Sequence, residues 1–573
     1  MLIAMLSNGQ TFMVNHLWSM NWFYTPTVPL VHQQSKYIKD HTHLEVGEYT
    51  GDMNVDSWPP NRWLREFNDH HVLVMTRAIF LALLNRGFVH LRKINLLVFD
   101  ECHHAVKNDD YVQIMKVFDS CQHDIEVPRV LGLTASLIPS KCKPGDLETK
   151  IRALEETLRC RSQTAKDMDE VAKYATNPVE KTLHYSSSRG DPELRRILEG
   201  PLDFLNSFKK EQKTKVYDYV KLHLDDGLHI LENLGIWCAH DFAKQALRDI
   251  ERVVDEVKDV ESRWENSLLY LGRTHLKIFM EKSNEKLEAI GRAEVPLTPK
   301  VQALLRHLGD SGISNGEVKV GSTEPLERTR ARKKSVTHLL GIIFVERRTT
   351  AALLTKLLKQ KSRNDPDLKH IKCEYIVGHN MGKGMTYVRR EAHMSVKKQN
   401  EILEKFRKEK LNLLVATSVV EEGVDVPKCN LVVRFDFPQN LRSYIQSKGR
   451  ARAKESTYLI LIEKEKETEV RSQLRDYQEL EEELKRLCHN RDVPGEEDIL
   501  KRMEEIVSPY MPFGREAGTR ATLSSSLPLI HRLVNTVKSS KPFFFFFVLF
   551  FFCSWSTFPA CHYPSICRCQ SSV

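Results

Sequence analysis

INLLVFDECHH, residues 94–104, is the stretch that decides the fold. A short, mostly apolar run that breaks abruptly into acids reads as a strand buried on both faces, the kind used in parallel sheets. Asp100 and Glu101 follow the run directly. Carboxylates at the carboxyl end of a parallel strand lie where open α/β sheets bind ligands. In a nucleoside triphosphatase the first carboxylate holds Mg²⁺ through its water shell and the second orients the attacking water. Taken alone, the pair is equally well read as a strand end with no catalytic role.

Working outward, VLVMT (72–76) and RVLGLTAS (129–136) are further buried-strand candidates, with helical patterns between them. From residue 146 to about 300 the character changes to long, charged helical periodicity, as in DFAKQALRDIERVVDEVKDVESRW (241–264). Residues 309–335 are polar and carry Gly and Ser, the composition of a linker. Strand-type runs then resume with LLGIIFVE (339–346), CEYIVG (373–378), LNLLVAT (411–417), CNLVVRFD (429–436) and YLILI (458–462). Ser395 is placed to cap a helix whose apolar side carries Val396, Ile402, Leu403 and Phe406. Val470, Leu474, Tyr477, Leu480, Leu484 and Leu487 recur at steps of three and four, an amphipathic helix. The plan is α/β: a first domain over 1–145, a helical insertion over 146–308, a second α/β domain over 336–463 and a helical arm over 464–508.

The strand ends carry the chemistry. Thr134 and Ser136 place two hydroxyls after the strand that follows the acids, suited to sensing phosphate. VATSVVEEGVDVPKCNLVVRFD (415–436) puts Thr417, Ser418, Gly423 and Asp425 on a loop leaving a strand, and SYIQSKGRARA (443–453) supplies Gln446, Arg450 and Arg452. Arginines of a second domain facing a Mg-nucleotide in the first stabilise charge on a transferred phosphoryl group. The competing reading of Arg450 and Arg452 is solvated surface charge.

DECH, LTAS, VVEEGVDVPKCNLVVRFD and QSKGRAR resemble motifs II, III, V and VI of superfamily 2 helicases, with GIIFVERR (341–348) in the place of motif IV and VLVMT in that of motif Ib. Within that superfamily, residues 10–510 resemble the amino-terminal helicase of the Dicer family. YMPFGREAGTRATLSSSLPLIHRLVN (510–535) resembles the start of its small dimerisation domain, placed over 509–537. The resemblance implies two RecA-like parallel-sheet domains, the first truncated at its amino end, with ATP and Mg²⁺ as cofactors. It implies Asp100 as the Mg²⁺ ligand and Glu101 as the activator of water. His103, Thr134 and Ser136 would couple the nucleotide to RNA, and Gly423, Asp425 and Gln446 would reach the nucleotide. Thr76, Arg347 and Thr417 would contact the RNA backbone, with Arg450 and Arg452 completing the site. The insertion would grip double-stranded RNA or dock a partner protein carrying dsRNA-binding domains. The implied role is small-RNA processing in RNA interference. Innate-immune RNA-sensor helicases share the insertion and the arm, whereas FDFPQNLRSYIQSKGRARA favours the Dicer family.

The chain departs from that pattern at motif I. No GxxxxGK[ST] loop occurs, and the nearest string, Ser7-Asn8-Gly9-Gln10-Thr11-Phe12, has Gln10 in the lysine's place. NGQTFMVN aligns with the strand after that loop, TVPLVHQQ (27–34) resembles motif Ia, and HLWSMNWFYT (16–25) reads as an unrelated insert splitting the two. The loop supplies the N–H cradle and the lysine for the phosphates. The expectation is therefore a truncated helicase region with an opened first sheet and defective ATPase activity. A non-catalytic dsRNA- or partner-binding module is the alternative. PAZ-like and ribonuclease III regions are absent from the reading, so the chain is not expected to cut RNA.

Composition bounds the rest. Net charge is +9, from 85 basic and 76 acidic residues, which permits a polyanion partner without requiring one. Eight cysteines scatter through the first 540 residues without paired spacing, as reduced cytosolic thiols do. With no secretory signal pattern at the amino end, a cytoplasmic location is expected. The run FFFFFVLFFF (543–552), inside a Phe-rich 538–573 tail, is shorter than the roughly 20 apolar residues of a membrane span. It reads as translated non-coding sequence, with a membrane-associated or other tail as alternatives. Cys561, Cys567 and Cys569 lack zinc-site spacing. Arg328, Arg330, Arg332, Lys333 and Lys334 read as a solvated linker, an RNA contact or a nuclear-targeting signal.

Overall fold

The computed structural model describes residues 3–6, 20–25, 28–120, 128–138, 142, 144–164, 177–209, 213–257, 263–291, 296–310, 339–378, 394–420, 424 and 426–489. The first sheet contains β1 (Ile3–Leu6), β2 (Met20–Thr25), β3 (Val46–Tyr49), β4 (Val72–Thr76), β5 (Ile94–Asp100), β6 (Arg129–Thr134) and β7 (Arg161–Gln163), in the order β3-β4-β2-β5-β6-β1-β7. From β3 to β6 all neighbours are parallel, and β1 runs antiparallel to both β6 and β7. β4 and β5 coincide with VLVMT and INLLVFD because long apolar runs belong to strands covered on both faces.

Two expectations change here. Met20–Thr25, the latter half of the stretch read as an insert, is β2, at the centre of the sheet between β4 and β5. Its aromatic and β-branched residues suit a pleated strand, and it leads into α1 (Val28–His41), which carries most of TVPLVHQQ. NGQTFMVN lies outside the described residues. The first sheet is also not open beyond β6, since β1 pairs with it from Ile3 opposite Thr134 to Leu6 opposite Leu131.

α1 closes one face of this sheet, where Val31 packs with Val46, Val72 and Val74. α2 (Pro60–Asp69), α3 (Arg77–Asn85) and α4 (Asp110–Ser120) belong to the same domain. α5 (Leu147–Leu158) buries Leu147, Ile151, Leu154 and Leu158, and it is tied to β7 where Glu155 Oε1 accepts from the Ser162 NH at 2.6 Å. Elements placed in the insertion by their helical character thus pack with the first sheet.

The second sheet comprises β8 (Val179–Tyr185), β9 (Gly341–Phe344), β10 (Cys373–Ile376), β11 (Leu413–Ala416), β12 (Leu431–Arg434) and β13 (Thr457–Glu463), in the order β10-β11-β9-β12-β13-β8. All five pairings are parallel. β8 lies inside the 146–308 stretch expected to be a helical insertion, yet it is a strand of the second sheet and pairs with β13 over seven residues. The strand order reverses between β9 and β12, a topological switch point.

Between β8 and β9 lie α6 (Pro192–Asn206), α7 (Lys215–Leu234), α8 (Ile236–Val257), α9 (Arg263–Ile290) and α10 (Pro299–Asp310). The first four pack on one another as a bundle. Asp191 caps α6 by accepting from the Glu193 and Leu194 NH groups, and Pro192 occupies the first turn, where no N–H is needed. Gly235 ends α7 at φ 93°, and a Cβ there would lie 3.1 Å from the Pro296 carbonyl oxygen. α11 (Arg348–Asn364), α12 (Val396–Arg407) and α13 (Leu441–Lys448) complete the second domain. Ser395 Oγ accepts from the Lys398 NH at 3.3 Å, and Ile402, Leu403 and Phe406 are buried as expected. The arm, α14 (Glu467–His489), buries Leu480 and Leu484 and packs on α13 and also on α5 and β7, so it touches both domains. Among the described residues seven cysteines are free and six of these are buried, and no helix is long and apolar enough to cross a membrane.

Candidate nucleotide and RNA site

At the end of β5 the chain turns sharply. Glu101 takes the left-handed conformation, φ 50° and ψ 47°, and a short helical turn Cys102–His104 follows. Tyr111 of α4 donates its hydroxyl to the Asp100 carbonyl at 2.8 Å, pinning the strand end. Asp100 Oδ2 accepts from Gln34 Nε2 of α1 at 3.0 Å, and Oδ1 accepts from the Glu101 NH at 3.1 Å. Burial pushes the Asp100 carboxyl up to about 7, and the adjacent Glu101 charge adds to this, while the two donors partly oppose it.

A relay joins this turn to β6. Thr134 Oγ1 donates to the Ser136 carbonyl at 2.8 Å, which uses its one proton. His103 Nδ1, 2.8 Å from Thr134 Oγ1, is therefore the donor to it. His103, Thr134 and Ser136 are all buried. Glu101 Oε2 is buried too and accepts no hydrogen bond from the protein; its near neighbour is His103 Nδ1 at 3.3 Å. An acceptor in that position suits a water proton. No cluster of three or more His, Cys, Asp or Glu forms a metal cage among the described residues. Asp100 with waters and phosphates is nonetheless the ordinary way to hold Mg²⁺. The metal and water half of a triphosphatase site fits these residues.

In the second domain Thr417 leaves β11, buried, with its NH donating to the Ile376 carbonyl at 3.2 Å. Gln446 is buried on α13. Arg450, also buried, donates to the Val424 carbonyl at 2.9 Å, and Arg452 donates to the Gly449 carbonyl at 3.1 Å. Those contacts hold both arginines to their own domain. Gly423 and Asp425 lie outside the described residues. Thr76 closes β4 at the position before α3, with no capping bond from its side chain. Arg347 follows β9 and is bound by Asp225 and Asp226 of α7. At the switch point a polar cavity of about 320 Å³ is lined by Glu346, Ser418, Arg434, Gln439, Arg442 and Ser443 among others.

Sequence reasoning missed Gln34, Tyr111, Lys300 and Asp436. Gln34 closes TVPLVHQQ, and Tyr111 opens the stripe Tyr111, Ile114, Met115, Phe118 that α4 buries. Lys300 lies on the stripe with Leu304 and Leu308, at steps of four, and a lysine on an apolar stripe was the available signal.

Comparison with known proteins fits this geometry. Residues 20–143, beginning at β2, match the DEAD/DEAH box helicase family, and residues 331–454 match the helicase conserved C-terminal domain. The chain thus carries two α/β domains of the DEAD/DEAH helicase class, built on largely parallel sheets. Residues 191–290, which span α6 to α9, match the partner-binding domain of Dicer. The chain is 36% identical over 541 residues to Endoribonuclease Dicer of Xenopus tropicalis and 29% identical over 538 residues to Endoribonuclease dcr-1 of Caenorhabditis elegans. It belongs to the Dicer family and corresponds to its helicase region. These alignments cover 88% and 90% of this chain but only 28% and 27% of those relatives. Among solved structures, the Hef helicase domain of Pyrococcus furiosus is similar at 21% identity and a TM-score of 0.42, over 80% of this chain and 89% of that one.

Proposed function

We propose that the chain is a module of small-RNA processing that binds double-stranded RNA and a protein partner in the cytoplasm, with ATP turnover weak or absent. The observation that carries this reading is the Asp100–Glu101 turn, joined by His103 to Thr134 and Ser136, in a sequence without GxxxxGK[ST]. Asp100 is placed to hold a metal and Glu101 to accept a proton from water. The N–H cradle and lysine that would fix the phosphates are missing from the sequence. Mg²⁺, when bound with nucleotide, would neutralise phosphate charge beside Asp100. Without a cation there, burial leaves that carboxyl near neutral pH in its titration. The His103 relay would pass a change at the β5 end to the loop after β6.

The test is fluorescence anisotropy on a blunt double-stranded RNA of about 30 base pairs, with and without ATP and Mg²⁺, beside a phosphate-release assay. RNA binding within about twofold in the presence and absence of nucleotide, with no RNA-stimulated release, supports the reading. Release that RNA stimulates and Glu101→Gln abolishes would identify an active ATPase instead.

A further inference from the structure

The bundle meets the second helicase domain through charges. Arg347 Nη1 donates to Asp225 Oδ2 and to Asp226 Oδ1 of α7, each at 2.8 Å. Thr349 Oγ1 donates to the other Asp226 oxygen at 3.0 Å. Asp226 is only 4% exposed, so both oxygens of a buried carboxylate are bound by one helicase segment. Two turns along the same face of α7, Asn233 Oδ1 accepts from Lys300 Nζ at 2.7 Å. Lys300 Nζ also donates to Asp436 Oδ1, beyond β12, at 2.9 Å, and Asp436 Oδ2 accepts from the Glu346 NH at 2.8 Å. Residue 346 directly precedes Arg347, so both points on α7 converge on the main chain leaving β9. A third contact joins Lys356 of α11 to Asp241 of α8 at 2.8 Å.

We infer that Arg347 is a positioning residue that fixes the partner-binding bundle to the second helicase domain, so that a partner seated on the bundle acts on the end of β9. This rests on reading the bundle as a partner-binding module. A nucleic-acid phosphate drawn to Arg347 would stand against the charges of Asp225 and Asp226, at distances where like charges repel strongly. Motif IV position alone assigned this arginine to RNA; the carboxylates beside it assign it to domain coupling.

Hydrogen exchange and RNA binding, measured on the full chain, separate the two roles. The variants are Arg347→Ala, Asp226→Asn, the double variant, and Asp225→Asn, whose half-exposed site spares the fold if Asp226→Asn does not. The inference expects exchange to accelerate about tenfold in both α7 and the first turns of α11 in each Arg347 and Asp226 variant. The double variant should add little, because both changes remove one contact. Asp225→Asn should accelerate the same amides to a smaller extent. Affinity for the same RNA should shift less than about twofold. A loss of about tenfold in RNA affinity with Arg347→Ala alone and exchange unchanged would make Arg347 a phosphate contact and overturn the inference. Acceleration confined to α11 would overturn it as well. If the unaltered chain binds no RNA, the proposed function fails while the exchange data still decide the coupling.

Discussion

Asp100 and Asp436 occupy matching places in the two helicase domains. Each lies at the carboxyl end of a parallel strand, and they are 8% and 9% exposed. Their surroundings push them in opposite directions. Burial and the Glu101 charge raise Asp100 to about 7. Burial would raise Asp436 too, but Lys300 at 2.9 Å and the Glu346 NH outweigh it, with His229 adding when charged, and its carboxyl stays below the ordinary range. Depth of burial therefore does not separate a structural carboxylate from one adapted to a ligand. A cation supplied by the protein itself does. Asp436 has one and stitches helices to a sheet; among the described residues Asp100 has only neutral donors and a second acid, as the Mg²⁺ role proposed for it requires.

The largest effect expected from this contrast is at Lys300. Lys300→Met strands Asp436 as an unpaired buried charge and should lower stability by about 3–5 kcal/mol. Differential scanning calorimetry should show the second-domain transition falling, with Lys300→Met/Asp436→Leu recovering most of the loss. A harmless single variant would break the comparison. Asp100 gives a pH effect of the opposite kind. Its folded pKa lies above the ordinary 3.8, so its contribution is full in acid and is lost as pH rises toward about 7. That loss is on the order of a few kcal/mol, and Asp100→Asn should flatten the fall in melting temperature over that range. Asp436, lowered instead, contributes above the ordinary carboxylate range and loses its contribution only as pH falls through its depressed value.

Removing the relay should cost less. Thr134→Val deletes the acceptor for His103 and should destabilise the first domain by about 1–3 kcal/mol, read by thermal melting. At the small end, Arg486→Ala breaks an exposed pair with Glu483 and should leave the melting temperature unmoved.

The sheets were legible because parallel strands buried on both faces leave apolar runs: β4 and β5 match their predicted limits, and β9, β11, β12 and β13 lie in or within a residue of theirs. β8 was not legible. VEKTLHY is an edge strand whose first four residues are exposed and whose last three are half-buried, and its partner β13 lies far away in sequence. MNWFYT escaped because it was judged against a motif rather than by its strand-forming residues. At the site, Asp100, Glu101, Thr134 and Ser136 were readable from their places after apolar strands and His103 from the family resemblance, and the five lie together. The partners of Arg347 were not, because ion pairs spanning more than 100 residues leave no periodic trace.

The left-handed turn at Glu101 has a consequence for how such sequences change. A side chain at φ 50° costs on the order of 1 kcal/mol that glycine would not. Once the turn ceased to matter, drift to glycine would be rewarded by a firmer fold. Glutamate kept there against that pull is a gauge of use, and counting glycine against glutamate at this one position across related chains would date when the turn was released from service.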